Sequence, residues 1–452
     1  MGRQLFGTDG IRGVAGDYPL DRRTVYAVGV ALGHWAVGIH GADSTILIGM
    51  DTRESGPWIA ATVAAGIEQA GAKVRFAGLI STPGVAYLTR TRDFVAGVMI
   101  SASHNPYRDN GIKVFDHSGY KLPDTVEHAL EQEIFAILAG AVEVRQATLT
   151  VDRGLDLEYI DFLVSSFPHR LDGFRLVLDC ANGAACELAP ELFRRLGAEV
   201  IATGCSPDGR NINLHCGALH VEALQQKVVE LGAHAGVAFD GDADRAMCVA
   251  PSGRLVDGDG MLLVVADSLL RSGTLAAPSA EPVVVATAMS NLGLELALKD
   301  RGVRLVRAAV GDKYVLEEMI RLGAPIGGEQ SGHVIFHRYA TTGDGMLTAL
   351  RVLAVVRETG ATLDELVSGL KIYPQTLVNV RVSQKRPIEE MATVQAEIEA
   401  AMREFNGAGR VLVRFSGTEP LARVMVEGPD IASVQQRAQK IARAVETELG
   451  AA

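Results

Sequence analysis

The sequence predicts an α/β protein with three related mixed-sheet α/β domains, followed by a C-terminal α+β domain. Short apolar runs at residues 46–48, 176–178 and 283–285 each lead into a small or polar loop and then into a helical pattern. Short strands that alternate with helices are typical of βαβ units in parallel or mixed sheets. We therefore expect one α/β domain around each of the three runs.

The first domain opens with a well-marked helix. Asp21 can cap it, and apolar residues then recur at three- and four-residue spacing. They are Val25, Val28, Leu32, Trp35 and Ile39. A second helix is predicted at about residues 58–69, and a buried strand at residues 94–100.

The last part of the chain has a different pattern. A predicted strand at residues 377–382 precedes a helix at about 388–405, two apolar runs and a closing helix from residue 431 to 445. This order favours a small α+β domain. We place the four domains at residues 1–150, 151–253, 254–372 and 373–452.

Composition excludes several classes of function. The formal net charge of −11 argues against a nucleic-acid partner, because Lys and Arg are not in excess. No apolar run approaches the roughly 20 residues of a membrane helix, and the polar N-terminus does not resemble a signal peptide. The five cysteines include no CxxC pair, which indicates reduced thiols and a cytoplasmic protein.

Ser103 is a candidate nucleophile or phosphoryl carrier. The predicted strand at 94–100 leads directly into the loop SASHNP, and in α/β sheets chemistry gathers at the carboxyl ends of strands. Lys113 follows a turn at Asn110-Gly111 and can direct a cation toward the loop. Taken alone, the loop could equally be an ordinary turn or cap. No GxSxG elbow surrounds the serine, so an α/β-hydrolase triad fits poorly.

A second apolar run, residues 236–239, leads into Asp240, Asp242 and Asp244 within DGDADR. Three carboxylates at alternating positions repel one another unless a cation binds between them, so they predict a divalent-cation site. The loop lacks the Gly and Glu that an EF-hand requires at its sixth and twelfth positions. An aspartyl-phosphate phosphatase, which also carries Asp-x-Asp after a strand, remains a rival interpretation.

Two further loops suit a sugar phosphate. Residues 327–333 (GGEQSGH) place Glu329, Ser331 and His333 between glycines, where they can bind hydroxyls or exchange a proton. Residues 414–420 (RFSGTEP) combine a guanidinium, hydroxyls and freed amides into a candidate anion site. Its candidate ligands are Arg414, Ser416, Gly417, Thr418 and Arg423. Arg12, flanked by glycines near the start, is a weaker anion candidate.

These loops, in this order, resemble those of the α-D-phosphohexomutase family. The matching segments are LFGTDGIRG (5–13), SASHNPYRDNGIK (101–113), DGDADR (240–245), GEQSGH (328–333) and RFSGTEPLARVMVEG (414–428). They span nearly the whole chain. Phe415 departs from the pattern, because a Lys is frequent there, and it could weaken phosphate affinity.

The resemblance implies four domains around a central cleft and a role for each loop. Ser103 would carry the phosphoryl group and, with the three aspartates, bind Mg²⁺. Arg12, Lys113, Arg245 and His333 would lie beside the reacting groups, and His104 would bind the substrate. Glu329 and Ser331 would bind sugar hydroxyls, and the loop at Arg414 would hold the idle phosphate. As a base, Lys113 would need a lowered pKa, with His333 as the alternative.

The implied reaction is an isomerisation through a phosphorylated Ser103 and a 1,6-bisphosphate. Gln330 favours glucosamine 6-phosphate and glucosamine 1-phosphate as substrates, which would supply UDP-N-acetylglucosamine synthesis. Mannose or glucose phosphates, a phosphatase acting through Asp240, and a non-catalytic sugar-phosphate binding protein are the alternatives. Glucosamine 1,6-bisphosphate would be the intermediate or activator. A kinase or a bisphosphate would first phosphorylate Ser103, and a homodimer is one option for assembly.

Overall fold

The computed structural model describes residues 5–7, 9–276, 281–416 and 420–450. Its internal contacts divide the chain into two compact units. The larger unit comprises Met1–Met289 and Val303–Ser368, and the smaller unit comprises Ser290–Gly302 and Gly369–Ala452. Each unit has its own hydrophobic core.

The first sheet lies in the larger unit. Its strands are β1 (Phe6–Gly7), β2 (Gly10–Val14), β3 (Thr45–Met50), β4 (Lys73–Leu79), β5 (Ala96–Ile100) and β6 (Asp109–Asp116). The helices of this region are α1 (Arg22–His40), α2 (Gly56–Gln69), α3 (Thr82–Thr91) and α4 (Asp124–Ala139). The strand order is β1-β2-β6-β5-β3-β4, with β3 parallel to both β4 and β5 and with β6 antiparallel to β5.

The second sheet also lies in the larger unit. Its strands are β7 (Arg175–Asp179), β8 (Glu199–Thr203), β9 (Ala235–Phe239), β10 (Ala246–Val249) and β11 (Leu255–Val256). The accompanying helices are α5 (Gly154–Ser166), α6 (Ala185–Arg195) and α7 (Glu222–Glu230), with a 3-10 turn at Gly217–Leu219. The strand order is β11-β10-β9-β7-β8.

The third sheet completes the larger unit. Its strands are β12 (Val283–Thr287), β13 (Arg304–Ala308), β14 (Ile326–Gly328) and β15 (Val334–Phe336), in the order β13-β12-β14-β15. The helices of this stretch of chain are α8 (Gly258–Arg271), α9 (Leu292–Lys299), α10 (Asp312–Leu322), α11 (Gly345–Thr359) and α12 (Leu363–Leu366). Of these, α9 belongs to the smaller unit.

The three sheets repeat one arrangement. In each, the first strand pairs in parallel with the second and the third, and the fourth strand is antiparallel to the third. The repeated sets are β4-β3-β5-β6, β8-β7-β9-β10 and β13-β12-β14-β15. The prediction of three related mixed-sheet α/β domains is confirmed. One consequence is that the loop after the third strand occupies the same topological position in every repeat.

The smaller unit contains an antiparallel sheet and helices. Its strands are β16 (Gln375–Arg381), β17 (Arg410–Phe415) and β18 (Leu421–Glu427), and its long helices are α13 (Ala392–Phe405) and α14 (Ile431–Leu449). The central strand is β18. Of the apolar face predicted for α14, Val434, Ala438, Ile441 and Val445 are fully buried in its core, whereas Ile431 at the start of the helix is 49% exposed. The α+β prediction for the last part of the chain is confirmed.

Several predicted boundaries shift by a few residues. The predicted helix at 388–405 is a 3-10 turn at Ile388–Glu390 followed by α13, and the predicted strand at 94–100 begins two residues later. Asp21 does cap α1, with its side chain accepting from the N–H groups of Arg23 and Thr24. Ile39, however, is 61% exposed, so the buried face of α1 ends before it.

The packing of α1 against α2 depends on glycines. A Cβ on Gly29 would lie 2.2 Å from the carbonyl oxygen of Val63, and one on Gly66 would lie 2.5 Å from that of Tyr26. The two backbones therefore approach too closely for any side chain at these positions.

Within the described ranges, no helix is both long enough and apolar enough to cross a membrane.

Candidate active site

Three loops of the larger unit meet at one site, and each follows the third strand of its repeat. The first loop, after β5, contains Ser103. The second, after β9, contains residues 240–245, and the third, after β14, contains residues 329–333. These loops are topologically equivalent. The same strand arrangement, repeated three times, therefore places the candidate nucleophile, the carboxylates and the sugar-loop residues at one site.

Ser103 has an unusual backbone conformation, with a φ angle of +54°. Its N–H donates to Ser101 Oγ at 2.9 Å, and the Ser101 hydroxyl donates to Asp51 Oδ2 at 2.6 Å. A left-handed conformation costs a non-glycine residue about 1–3 kcal/mol and persists only where the surroundings impose it. Here the surroundings are buried, since Ser101 is 0% and Ser103 is 1% exposed.

A fully buried arginine holds the carbonyl groups of the same loop. Arg53 Nη2 donates to the carbonyl oxygens of Ser103 at 2.8 Å and Asn105 at 2.9 Å, and Nη1 donates to that of Pro106 at 2.6 Å. Arg53 is itself paired with Asp51 through Nε at 3.0 Å. Sequence reasoning missed both residues, although Asp51 and Arg53 directly follow a buried strand, β3.

The Ser103 hydroxyl faces the second loop. It donates to Asp240 Oδ2 at 2.5 Å, and its oxygen lies 3.3 Å from His104 Nδ1. Arg245 Nη1 approaches the same His104 nitrogen at 3.1 Å. Burial, followed by the charges of Arg245 and Arg12, lowers the pKa of His104 to about 4. His104 is therefore neutral near pH 7 and accepts the Arg245 hydrogen bond at Nδ1.

The three predicted carboxylates converge. Asp240, Asp242 and Asp244 each offer an oxygen within 4.8 Å of the other two, and all are at least 95% buried. Burial, with the charges of Asp244 and Asp242, raises the pKa of Asp240 well above its usual range. Asp242 Oδ1 is buried and accepts no hydrogen bond from the described residues. An all-oxygen set with repelling charges and an unpaired buried oxygen fits a hard divalent cation.

Lys113 lies among these carboxylates and is 1% exposed. Its Nζ is 2.8 Å from Asp242 Oδ2, 3.4 Å from Asp244 Oδ2 and 3.1 Å from Asp9 Oδ2. Burial by itself lowers the pKa of Lys113, but the three carboxylates outweigh it and raise the pKa well above its usual range. The lowered pKa that a lysine base would need is therefore absent, and Lys113 is a fixed cation.

A closed ring of charged groups joins the three repeats. Its members, each in contact with the next, are Lys113, Asp9, Lys121, Asp312, His333 and Asp244. The N–O distances are 3.1 Å for Lys113–Asp9, 2.5 Å for Asp9–Lys121, 2.5 Å for Lys121–Asp312, 3.5 Å for Asp312–His333, 3.5 Å for His333–Asp244 and 3.4 Å for Asp244–Lys113. Sequence reasoning singled out three of these residues and missed Asp9, Lys121 and Asp312. Asp9 lies inside the LFGTDGIRG motif, but Lys121 and Asp312 have no local signal, because their partners are far away in the chain.

His333 occupies the ring with both ring nitrogens engaged. Burial lowers the pKa of His333, but the carboxylates of Asp244 and Asp312 outweigh it and raise the pKa to about 9. The Gly343 N–H also approaches Nε2, at 2.9 Å. That contact is a hydrogen bond only for a neutral ring with its proton on Nδ1, toward Asp244, so it competes with the protonated form that the two carboxylates favour. A cation bound by Asp244 would offset that carboxylate charge and favour the neutral ring.

The sugar loop packs against the start of α8. Ser331 Oγ donates to Glu329 Oε2 at 2.9 Å, and Gln330 Nε2 donates to Asp257 Oδ2 at 3.2 Å. Asp257 also caps α8, because its side chain accepts from the Gly260 N–H. Gln330 therefore fixes the loop to the start of α8, in addition to the role in substrate preference that the sequence suggests.

Arg12 and Arg245 bring two cations to the carboxylates. Arg12 lies on β2, pairs with Asp9, and has its charge balanced further by Asp242 and Asp244. Arg245 donates its backbone N–H to Asp240 Oδ1 at 3.1 Å, and its Nε lies 3.8 Å from Asp244 Oδ1. Both guanidinium groups are therefore close to the aspartate cluster.

The smaller unit contains the predicted anion-site arginines. Arg414 on β17 and Arg423 on β18 are direct cross-strand partners. Burial and the Arg423 charge lower the pKa of Arg414. Lys385, which sequence reasoning missed, donates to the Ser416 carbonyl oxygen at 2.6 Å. Three cationic side chains near the end of β17 and the start of β18 favour an anion. Gly417 and Thr418 lie outside the described residues.

Family comparisons cover almost the entire chain. The models of phosphoglucomutase/phosphomannomutase alpha/beta/alpha domains I, II and III match residues 3–140, 157–253 and 257–373. The model of the C-terminal domain of the same family matches residues 377–444. These four matches follow one another in the order of the sheets described above.

Individual proteins agree with the family models. The phosphoglucosamine mutase of Solibacter usitatus is 60% identical over 100% of both chains. A phosphoglucomutase/phosphomannomutase family protein of Burkholderia thailandensis has a crystal structure with a TM-score of 0.81 at 24% identity, over 99% of this chain and 98% of that one.

A more distant structure shares the fold. The N-acetylphosphoglucosamine mutase of Aspergillus fumigatus, solved in complex with GlcNAc-6P and magnesium, has a TM-score of 0.64 at 19% identity over 98% of this chain and 96% of its own. The full-length match at 60% identity and the four consecutive domain models together assign the chain. The phosphoglucosamine mutases are isomerases of the phosphohexomutase type. This chain belongs to the same phosphoglucomutase/phosphomannomutase family.

Proposed function

We propose that this chain interconverts glucosamine 6-phosphate and glucosamine 1-phosphate through a phosphorylated Ser103 and a glucosamine 1,6-bisphosphate intermediate. The observation that carries the proposal is the Ser103 hydroxyl, fixed 2.5 Å from Asp240 in a buried carboxylate cluster. A serine held beside three carboxylates needs a cation before it can carry a dianionic phosphate. The product would supply UDP-N-acetylglucosamine synthesis.

Asp240, Asp242 and Asp244, together with the phosphorylated Ser103, are the groups that would hold Mg²⁺. The A. fumigatus enzyme of the same fold was solved with magnesium, which supports this choice of ion. A bound Mg²⁺ would supply positive charge opposite the oxygens of the phosphoryl group. The buried, unpaired Asp242 Oδ1 gives it an oxygen ligand that no described residue already uses.

The protein's own contribution is position and positive charge. Phosphoryl transfer has a loose transition state, so both count for more than proton abstraction does. We propose that the fixed positive charges of Lys113, Arg245 and Arg12 stabilise the transferring group. His333, with both nitrogens engaged, positions Asp244. Neutral His104 orients Arg245 and contacts the substrate.

Each of the two units carries a loop with candidate substrate-binding residues. We propose that Glu329 and Ser331 bind sugar hydroxyls. The idle phosphate would be held by Arg414, Ser416, Gly417, Thr418 and Arg423. Support comes from the Glu329–Ser331 hydrogen bond at the sugar loop and from the cross-strand pair of arginines. The proposed domains are residues 1–150, 151–253, 254–372 and 373–452.

The substrate class is supported by the 60% identical relative, which is a phosphoglucosamine mutase. The test is the relative kcat/KM for glucosamine 6-phosphate, mannose 1-phosphate and glucose 1-phosphate with the same enzyme preparation. We expect glucosamine 6-phosphate to be preferred. A preference for mannose or glucose phosphate would assign the chain to a sister mutase of the same family.

The phosphoryl carrier has its own test. Protein labelled with phosphate should resist hydroxylamine and carry the label on Ser103 by mass mapping, because a phosphoserine ester is stable to this reagent. Cleavage by hydroxylamine would instead indicate an acyl phosphate on Asp240 and a phosphatase-like mechanism. Ser103→Ala should lose turnover and keep sugar-phosphate binding.

Other partners follow from the proposed reaction. A kinase or a 1,6-bisphosphate would supply the first phosphate on Ser103, and assembly into a homodimer stays a prediction.

A cytoplasmic location is supported by the five cysteines, all of which are free thiols.

A further inference from the structure

Thr82, the first residue of α3, contacts the aspartate loop (residues 240–245), although the proposed reaction assigns it no role. Its hydroxyl donates to Asp242 Oδ2 at 2.5 Å, and its backbone N–H donates to the Asp242 carbonyl oxygen at 3.0 Å. Both residues are fully buried. The first N–H groups of a helix have no partner within it, so Thr82 can direct both of its donors at one residue of the loop.

The two oxygens of the Asp242 carboxylate have different surroundings. Oδ2 accepts from the Thr82 hydroxyl and, at 2.8 Å, from Lys113 Nζ. Oδ1 is buried and accepts no hydrogen bond from the part of the chain that the structure describes. A buried carboxylate oxygen without a partner is costly unless a cation or a water binds it. The two donors on Oδ2 therefore leave Oδ1 available as a ligand.

Lys113 is a weak determinant of this orientation. Its Nζ also lies 3.4 Å from Asp244 Oδ2 and 3.1 Å from Asp9 Oδ2, so three carboxylates share one ammonium group. An ammonium on a flexible four-carbon stem acts as a compact point charge. A threonine is restricted at χ1 by its branched Cβ, and the backbone of Thr82 is bonded to the same aspartate. The directional contact on Oδ2 therefore comes from Thr82.

The backbone of the aspartate loop is held from two sides at this point. Ala243, which follows Asp242, has a φ angle of +56°. Its carbonyl oxygen accepts at 3.0 Å from the N–H of Gly345, the first residue of α11, while the Asp242 carbonyl accepts from Thr82. Because the backbone is fixed, the direction of the Asp242 carboxylate depends on rotation about its own side-chain bonds. The Thr82 hydroxyl opposes that rotation.

We propose that Thr82 is a positioning residue for the divalent-cation site, because its hydroxyl holds Asp242 Oδ2 and so presents Oδ1 to the cation. The inference rests on the proposed metal site and adds to it a residue from the first repeat. Groups that hydrogen-bond to metal ligands orient them, and their loss lowers metal affinity about 10- to 100-fold. Thr82→Val removes the hydroxyl at nearly unchanged volume and keeps the backbone N–H.

The experiment measures Mn²⁺ binding to the chelator-treated full-length protein, from the loss of the electron paramagnetic resonance signal of free Mn²⁺. In Thr82→Val the Kd for Mn²⁺ should rise about tenfold or more. Thr82→Ser keeps the hydroxyl and should bind Mn²⁺ much as the parent protein does. Thr89→Val is the matched control, because Thr89 is also a fully buried threonine of α3 but donates to the Val85 carbonyl oxygen. Its Kd should equal the parent value.

A parent-like Kd in Thr82→Val, or an equal rise in Thr89→Val, would overturn the proposal. So would a Thr82→Ser protein that binds Mn²⁺ as weakly as Thr82→Val, because the hydroxyl would then not be the group that matters. Thermal melts of the metal-free variants show whether each is folded, and Thr82→Ala is the second variant without the hydroxyl. If both failed to fold while Thr89→Val folded, the contact would be structural and the positioning role would be rejected.

The parent protein separates this inference from the proposed function. If the parent bound no Mn²⁺, or if Asp242→Asn bound it with an unchanged Kd, the proposed metal site itself would fail. If the parent bound Mn²⁺ through Asp242 and Thr82→Val bound it equally well, only the role of Thr82 would fail. Both results are obtained without an assay of mutase turnover.

Discussion

The guanidinium of Arg53 donates to the carbonyl oxygen of Ser103 at 2.8 Å, and neither side chain is more than 1% exposed. The same arginine binds two further carbonyl groups of the loop and is paired with Asp51. It therefore determines the backbone conformation of the residue that we propose as phosphoryl carrier. Arg53 is a positioning residue, since it acts through the backbone of Ser103.

Replacing this arginine should impair turnover more than substrate binding. For Arg53→Met combined with Asp51→Asn, which avoids leaving an unpaired buried charge, we expect kcat to fall about a hundredfold with a small change in KM. Steady-state kinetics and a thermal melt together check this. Arg210→Ala is the control, because Arg210 forms an exposed pair with Glu54. A rise in KM at unchanged kcat would contradict the positioning role.

Divalent cations should stabilise the folded protein through the aspartate cluster. Binding at a hundred times Kd adds about 2.7 kcal/mol to the free energy of unfolding, so Mg²⁺ should raise the melting temperature and a chelator should reverse the rise. In Asp242→Asn the Mg²⁺-dependent rise should be lost or need far more Mg²⁺. An equal response in Asp242→Asn and the parent protein would place the cation elsewhere.

Lys113 should be important for stability as well as for turnover. Lys113→Met removes the cation paired with the buried Asp242 carboxylate, and breaking a buried pair in this way costs about 3–5 kcal/mol. Urea denaturation measures the loss, and added Mg²⁺ should recover part of it. Lys73→Met is the matched control, since Lys73 forms an exposed pair with Asp43 and its removal should leave the midpoint unchanged.

The cross-strand arginines should affect stability and binding in opposite directions. Like charges directly opposite in a sheet are destabilising, so Arg414→Ala should keep or raise the melting temperature. The same change should raise the KM for the sugar phosphate about tenfold, because a charged hydrogen bond of about 1.5–3 kcal/mol is lost. Arg381→Ala, an exposed change on β16, controls for the loss of charge. An unchanged KM would remove Arg414 from the phosphate site.

The loops and their strands were predictable for local reasons. Each apolar run ends directly before chemically active residues, so Ser103 and the three aspartates could be read from the chain together with the strands that position them. The closing helix of the smaller unit, α14, was predictable in the same way, from the spacing of its apolar residues. Boundaries such as the start of α13 were less predictable, because a short 3-10 turn and a helix share the same apolar spacing.

The sequence by itself determined which segments form strands, which loops carry carboxylates, hydroxyls and guanidinium groups, and which family those loops resemble. Only the tertiary structure decided that Asp9, Lys121 and Asp312 close a ring with Lys113, His333 and Asp244. It also decided that the carboxylates around Lys113, Asp242 first, raise its pKa. The physical reason is that a pKa and a buried ion pair depend on distance in space. Residues 9, 121 and 312 come together only when the repeats pack, and no periodicity along the chain records that contact.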